Sequence, residues 1–149
     1  MIGYLKFIEY GSIEYHQAAQ LRHRLFYPGH NISLKAIALS QEKQDLHLVI
    51  TNSQGNQVLA YGRLAQKSSN EFQIHQMVVE PTYQKQGLGK RILQTLIKSA
   101  SDRGGKLLSL NARVTKIKFY QKFGFEPVGE VFASSITGVP HIRMQKAIA

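Results

Sequence analysis

The sequence predicts an α/β layered domain built on one mixed sheet, and two observations carry that prediction. Apolar residues alternate with polar ones over several short segments, whereas from Gly87 onward they recur at helical spacing. The segments follow one another as strand, helix, three strands, helix, strand, helix and two strands, an order that stacks helices on a sheet. No repeat or Pro/Ser-rich linker divides the 149 residues, so we expect one domain over residues 1–149.

The first strand and the first helix are predicted before Pro28. Residues Tyr4–Glu9 alternate loosely and indicate a strand, and Ser12 can cap the helix that follows. Pro28 and Gly29 are expected to end that helix, and residues 30–45 are expected to form a loop with at most a short helix. The inward face of the helix is predicted to carry Ile13, Ala19, Leu21 and Leu25.

Three consecutive strands joined by polar turns form the centre of the predicted sheet. The turns are rich in Asn, Ser and Gly, and Pro81 ends the third strand because it has no N–H to give to the ladder. The predicted strands are Leu46–Thr51, Gln57–Gln66 and Glu71–Glu80.

The second half of the chain alternates helices with strands. A long helix begins at Gly87 and stops at Gly104, and a shorter helix is capped by Thr115 and runs to Lys122. The long helix is amphipathic, with one apolar side formed by Leu88, Ile92, Leu93, Leu96, Ile97 and Ala100. The remaining strands are predicted at Lys106–Asn111, Phe125–Ala133 and Val139–Lys146.

The composition argues against several kinds of site and location. The chain has no cysteine, so we expect no disulfide framework, thiolate zinc site or cysteine nucleophile. Its six histidines are scattered, so no metal site is expected. No apolar run approaches the roughly 18–20 residues of a membrane span, and the N-terminus lacks the pattern of a signal peptide. These features predict a cytoplasmic protein without a membrane partner.

Positive charge is concentrated in the second half of the chain. The 19 Lys and Arg residues outnumber the 9 Asp and Glu residues, which gives a formal net charge of +10 and an attraction for polyanions. Between residues 84 and 122 the one acid, Asp102, stands among the basic residues Lys85, Lys90, Arg91, Lys98, Arg103, Lys106, Arg113, Lys116, Lys118 and Lys122.

The segment Gln84–Gly89, between a predicted strand and a predicted helix, has the features of a phosphate-binding loop. Its glycines let the backbone approach a ligand closely, and the first amides of the helix can hold an anion. A dinucleotide fingerprint would need a third glycine where Ile92 stands, and no stretch supplies the Gly-x4-Gly-Lys-Ser/Thr of a P-loop. The local physics therefore indicates a phosphate ligand of another kind.

Two motifs resemble those of the GNAT superfamily of N-acetyltransferases. The stretch from Val79 to Leu93 resembles the central motif, and the stretch from Leu110 to Phe125 resembles the second motif. Together with Gly138-Val-Pro-His141, these motifs resemble the small ElaA-like bacterial branch. The resemblance implies a mixed, mostly antiparallel central sheet of about six to seven strands flanked by helices. It also implies an acyltransferase that uses acetyl-CoA as co-substrate.

The resemblance also assigns residues to the cofactor. The main chain before the loop would bind the pantetheine arm, the loop amides would bind the pyrophosphate, and Asn111 could hydrogen-bond pantetheine or a substrate. The residues assigned to the cofactor are Met77, Val78, Val79, Gln84, Lys85, Gln86, Gly87, Leu88, Gly89, Lys90, Asn111 and Phe119.

Three side chains are candidates for proton transfer during direct attack of a primary amine, from a small molecule or a peptide, in a ternary complex. Tyr120 matches the position of the family's general acid, and a phenol remains protonated at neutral pH. His75 and His141 are alternative general bases. His75 is expected to share a strand face with Met77 and Val79.

Two rival functions remain open from the sequence. The charge would suit a nucleic-acid-binding domain, although no helix-turn-helix, RRM-like strand or zinc finger is visible, so nucleic acid is the less favoured partner. A catalytically silent acyl-CoA sensor would preserve the loop without the reaction. The sequence does not name the acceptor amine, and both a monomer and a homodimer are compatible with it.

Overall fold

The computed structural model describes residues 2–26, 40–135 and 137–148. These residues form a seven-stranded sheet in the order β1-β2-β3-β4-β5-β7-β6, in which only the β4–β5 pair is parallel. Within them the strands are β1 Ile2–Ile8, β2 Leu46–Asn52, β3 Val58–Gln66, β4 Glu71–Val79, β5 Leu107–Arg113, β6 Glu126–Ala133 and β7 Pro140–Ala147. The α-helices are α1 Ile13–Phe26, α2 Leu88–Asp102 and α3 Ile117–Gln121.

The predicted fold class and the sequence of strands and helices are confirmed. Short 3₁₀ turns at Ser40–Gln44, Pro81–Tyr83 and Val114–Lys116 connect the main elements. The predicted end of the first helix at residues 28–29 lies outside the described residues. None of the helices within the described ranges is both long and apolar enough to cross a membrane.

Two local predictions about the helices are wrong. Ile13 is 75% exposed, because the buried stripe of α1 passes through Ala18 and Leu21, and Ile13 lies roughly 140° around the helix from Ala18. Thr115 does not cap α3, because it lies inside the preceding 3₁₀ turn and the helix begins two residues later. The predicted cap of α1 is confirmed, since Ser12 Oγ accepts a hydrogen bond from the Tyr15 amide at 3.2 Å.

The helices pack on opposite faces of the sheet. On the α2 face, Leu88, Ile92, Leu93, Leu96 and Ala100 of the helix are buried against the central strands, and α3 packs at the edge of the same core. On the α1 face, Ala18 and Leu21 of the helix pack with a smaller set of strand residues formed by Val49, Val58, Tyr61 and Val78. These names, α2 face and α1 face, are kept below.

The parallel strands β4 and β5 separate part-way along their length. Their ladder runs from Glu71 paired with Leu107 to Ile74 paired with Leu110, yet β4 continues to Val79 and β5 to Arg113. The strands therefore splay after a four-residue ladder, and the opening faces the end of β4 that leads to α2.

A β-bulge in β4 lies at the start of the splay. Gln76 has a positive φ of 52°, and two β4 residues, Gln76 and Met77, stand opposite Gly62 of β3. Ile74 before the bulge and Met77 after it both pack in the core of the α2 face, although they are three residues apart. The bulge thus shifts the side-chain alternation by one residue and bends the strand.

Candidate functional site

The loop between β4 and α2 ends at an unblocked helix N-terminus. Gly87 has a left-handed φ of 84° and occupies the N-cap position, where glycine adopts that conformation without strain. Its carbonyl accepts the first helical hydrogen bond, from the Arg91 amide at 3.1 Å. The amides of Leu88, Gly89 and Lys90 therefore belong to the first turn, whose N–H groups have no partner within the helix. Such a terminus can bind an anion.

The end of β4, the loop and α3 meet at Gly89. A β-carbon placed on Gly89 would lie 3.8 Å from Val79 Cγ2 and 3.7 Å from Phe119 Cζ. The Gln84 side-chain amide donates a hydrogen bond to the Val79 carbonyl at 3.1 Å. The structure thus brings together four of the residues predicted to bind the cofactor, and Gln84 in this arrangement holds the loop against the end of the strand.

The other predicted cofactor residues differ in what they expose. Lys85, Gln86 and Lys90 are exposed around the loop, so their side chains can reach an anion there. Met77, Val78 and Leu88 direct their side chains into cores, so in these residues the main chain is the group that could contact a ligand. Asn111, at the first β5 position beyond the ladder with β4, is exposed.

Tyr120 lies on α3 in an aromatic cluster on the α2 face. Its ring centroid is 5.1 Å from that of Phe119 and 6.1 Å from that of Phe125, both in edge-to-face geometry. Burial raises the pKa of the Tyr120 phenol to about 12. The phenol is therefore protonated at neutral pH, which is the state that a general acid needs.

His75 lies on a different face from the one predicted. It is one residue after Ile74, which packs on the α2 face, so its side chain points to the α1 face, while Met77 and Val79 return to the α2 face after the bulge. The expectation that His75 shares a face with these two residues is wrong, because it assumed uninterrupted alternation. The alternation is interrupted at Gln76, which has a positive φ, and a glutamine in the sequence does not indicate that conformation.

The surroundings of His75 make it a weak proton acceptor. Burial, followed by the charges of Arg63 and Lys67, lowers the pKa of His75 to about 3. Its Nε2 atom is buried without a hydrogen-bond partner among the described residues. A base with so low a pKa takes a proton from an ammonium ion only at a large free-energy cost.

A buried ionic network lies beside His75 on the α1 face. Glu42, in the 3₁₀ turn before β2, accepts two hydrogen bonds from Arg22 of α1, at 3.1 and 2.7 Å, and one from the Tyr15 hydroxyl at 2.8 Å. Burial alone would raise the pKa of the Glu42 carboxyl, but the Arg22 hydrogen bonds and charge keep that pKa below its usual value. Arg63 pairs with Asp45 and approaches Glu42 at 3.8 Å.

His141 differs from His75 in its hydrogen bonding. Its Nδ1 atom is 2.8 Å from the Val139 carbonyl oxygen, so in the neutral ring Nδ1 carries the proton and Nε2 keeps its lone pair. The ring stacks on Phe132 with centroids 6.0 Å apart and an interplanar angle of 24°. His141 is half-buried and pairs with Arg113 across β7 and β5, at the splayed end of β5.

No group of three His, Cys, Asp or Glu residues within the described ranges is placed to hold a metal ion. The candidate groups described so far are main-chain amides, a phenol, two imidazoles and the exposed lysines Lys85 and Lys90 of the loop.

Comparison with known families shows which family the chain belongs to. The profile of the acetyltransferase (GNAT) domain matches residues 16–148. This range includes the bulge, the loop, α2 and the candidate catalytic residues His75, Tyr120 and His141. The chain belongs to the GNAT acetyltransferase family. Its activity is accordingly acetyl transfer, and the GNAT superfamily resemblance of the two motifs is confirmed.

Individual relatives agree with this family. An uncharacterised N-acetyltransferase of Bacillus subtilis, YjcF, is 26% identical over 130 residues, which cover 87% of this chain and 89% of that protein. Among solved structures, ElaA of Escherichia coli has a TM-score of 0.78 at 21% identity and covers 98% of this chain and 99% of its own. An aminoglycoside 6'-N-acetyltransferase in complex with coenzyme A has a TM-score of 0.76 at 19% identity, covering 98% and 97%.

Proposed function

We propose that this GNAT protein transfers the acetyl group of acetyl-CoA to a primary amine of a small molecule or peptide by direct attack in a ternary complex. The observation that carries the proposal is the splay of β4 from β5 beside the N-terminus of α2. A narrow ligand arm fits between two strands whose ladder has ended, while an anion fits on the amides of the helix that follows.

The donor would bind mainly through the main chain. The amides of residues 88–90 would hold the pyrophosphate, and Lys85 and Lys90 would add charge, since coenzyme A carries roughly four negative charges near neutral pH. The pantetheine arm would run along Met77 to Val79 of β4 and pass through the splay. The thioester would then lie within the splay, with its sulfur toward Tyr120 and its carbonyl carbon open to an acceptor that approaches from the α1 face.

The reaction requires a new C–N bond, a broken C–S bond and two proton movements. The amine nitrogen attacks the thioester carbonyl carbon, and collapse of the tetrahedral adduct expels the coenzyme A thiolate. Tyr120 Oη gives its proton to that sulfur, and the phenolate is reprotonated from water. The surplus proton on nitrogen leaves to a base.

His141 is the better candidate for that base. Its Nε2 atom has a free lone pair in the tautomer that the Val139 hydrogen bond selects. His75, by contrast, is neutral with a pKa of about 3 and lies beside Arg63 and Lys67, whose positive charges oppose its protonation. The acceptor proton therefore passes to His141, directly or through water.

The test is acetyl-CoA-dependent thiol release with a panel of amines, amino acids, polyamines and peptides, in the wild type and in a Tyr120→Phe variant. Loss of the phenolic proton should lower kcat by about 100-fold, because general acid catalysis commonly contributes 10²–10⁴. The Kd for coenzyme A should stay within twofold, because the ring and its aromatic contacts remain.

Tyr4→Phe is the matched control, since Tyr4 lies 61% exposed on β1, away from the site. Equal turnover of Tyr120→Phe and wild type would remove Tyr120 from the mechanism. Saturable acetyl-CoA binding without thiol release from any amine would indicate a sensor. Binding of DNA that weakens steeply with salt, in the absence of acetyl-CoA binding, would instead support a nucleic-acid function.

A further inference from the structure

Arg113 places a cation at the end of the splay, on the α1 face. It is the last residue of β5, and its neighbour Ala112 is buried in the core of the α2 face, so the Arg113 side chain points the other way. The guanidinium carbon lies 5.4 Å from the centroid of the Phe26 ring at the end of α1. Arg113 pairs in register with His141, the proposed base.

Arg113 differs from the other arginines on this face, because no carboxylate of a described residue pairs with it. Each of the others has a carboxylate partner within the described residues: Arg22 has Glu42, Arg24 has Glu80, Arg63 has Asp45 and Arg143 has Glu71. No side-chain hydrogen bond or ion pair joins the Arg113 guanidinium to a described residue, and its Nε atom is buried without a hydrogen-bond partner.

The lack of an acceptor for the buried Arg113 N–H costs free energy, and a ligand that accepts its hydrogen bond would remove that cost. A half-buried guanidinium loses part of its hydration, and a buried N–H left without an acceptor costs on the order of 1–3 kcal/mol. The planar fork of arginine forms bidentate hydrogen bonds with carboxylates and phosphates, and a carboxylate is the anion that an amine acceptor of the amino-acid or peptide kind carries. Phe26 and Phe132 supply apolar surface on either side of the Arg113–His141 pair.

We infer that the acceptor is an amine that also carries a carboxylate, which Arg113 binds while the amine lies beside His141. The inference rests on the proposed function, because it names the acceptor class of the same site. Arg113 acts here as a specificity-determining residue. The carboxylate can belong to a free amino acid or to an acidic side chain of a peptide, and the choice of acceptors below separates these sources.

The experiment compares kcat/KM for an amino acid, such as phenylalanine, and for its carboxamide, phenylalaninamide, which lacks the negative charge. A peptide with an N-terminal acidic residue is assayed beside its amide analogue. In the wild type one acid should exceed its amide, and the better pair identifies the source. In Arg113→Gln the ratio of acid to amide should fall about 10- to 100-fold, as expected for a lost charge-assisted hydrogen bond.

Two further variants separate the geometry of the Arg113 side chain from its charge and from a general effect of surface charge. Arg113→Lys keeps the charge without the fork and should restore only part of the ratio. Arg103→Gln removes an exposed charge at the end of α2 and should leave the ratio unchanged. The KM for acetyl-CoA should be unchanged in all three, and the melting temperature of each variant reports whether it folds.

The inference is overturned if the acid-to-amide ratio is the same in wild type and Arg113→Gln. A raised KM for acetyl-CoA together with that constant ratio would also overturn it, and would assign Arg113 to the donor. In both cases turnover itself would leave the proposed function standing. If the wild type turned over no amine, the proposed function would fail first. Calorimetric binding of the same acid and amide to wild type and Arg113→Gln would then still decide whether Arg113 selects a carboxylate.

Discussion

Single residues in this protein take their chemistry from the strand face on which they lie. His75 and His141 are both imidazoles on the α1 face, yet His75 is buried near the charges of Arg63 and Lys67, whereas His141 hydrogen-bonds to a main-chain carbonyl. The first environment suppresses the charged form of the ring, and the second selects its tautomer. The two histidines that look equivalent in the sequence are thus separated by their neighbours.

His75 should make the protein sensitive to acid. Its pKa of about 3 in the folded state lies below the ordinary value near 6.5, so below pH 6.5 the unfolded chain binds a proton that the folded chain refuses. Stability therefore falls as pH falls from about 6.5 toward 3. After allowing for partial exposure, we expect His75→Gln to lose about 1 kcal/mol less than the wild type between pH 7 and pH 5, by urea unfolding.

His16→Gln is the control, because His16 is exposed on α1 and should leave the wild-type loss in place. His47, whose pKa burial also lowers, should preserve some acid sensitivity in the His75 variant. Identical pH dependence in wild type and His75→Gln would contradict the assigned environment of His75.

At the scale of elements, the close contact of α2 with β3 requires a glycine at position 62. A β-carbon at Gly62 would stand 2.6 Å from Ile92 Cγ2 and 3.0 Å from Leu96 Cδ1. Non-bonded carbon atoms do not approach to the shorter distance, so a side chain at residue 62 would displace the Ile92 side chain or the helix that carries it. Because α2 carries the amides that we propose to bind the pyrophosphate, this glycine also sets the position of the candidate site.

Gly62→Ala should destabilise the fold by about 1–3 kcal/mol through overpacking. The measurement is the urea-unfolding free energy of Gly62→Ala, Ile92→Ala and the double variant. Because Ile92→Ala removes the clashing methyl group, the double variant should lose at least about 0.5 kcal/mol less than the two single losses added together. Simple additivity would mean that the helix does not meet the added methyl group.

The regular elements could be predicted from the sequence because their signals are local. The apolar stripe from Leu88 to Ala100 and the breaks at Pro81 and Gly104 act over a few residues. The bulge at Gln76 could not be predicted, because it depends on pairing with a distant strand. Gly62 gave no usable signal either, since a glycine in a strand has many causes.

At the scale of the whole molecule, the ionic network around Glu42 joins four parts of the chain. Arg22 and Tyr15 come from α1, Glu42 from the turn at residues 40–44, and Arg63 from β3. His47 of β2 adds a hydrogen-bonding contact to the Glu42 carbonyl oxygen at 2.7 Å. The network fixes α1 and the turn on the sheet, and thereby one wall of the α1 face.

Glu42→Gln should cost about 3–5 kcal/mol, because it leaves the fully buried Arg22 guanidinium without its counter-charge. Asp102→Asn is the matched control: its partner is Lys98 one helical turn away, both groups are mostly exposed, and the change should stay within about 0.5 kcal/mol. Chemical denaturation of both variants at pH 7 measures the difference. Equal losses would show that burial does not amplify the Arg22–Glu42 pair.

In the candidate site, too, the features that depend on neighbouring residues could be predicted from the sequence, and those that depend on distant residues could not. The loop from Gln84 to Gly89 could be found from sequence because its glycines and flanking elements are contiguous. The association of Arg113 with His141 and Phe26 could not, since these residues come from three separate elements and meet only through strand order and helix placement.

The bulge in β4 means that this strand is one residue longer than its neighbours require. Removal of Gln76 would leave Ile74, Met77 and Val79 on the same side of the sheet as before, since simple alternation along the shortened strand gives the same assignment. The hydrophobic interior would be intact, but β4 would lose the bend that turns it away from β5. The packing of the core and the opening proposed for the pantetheine arm therefore depend on different residues, and the opening depends on the one extra residue of β4.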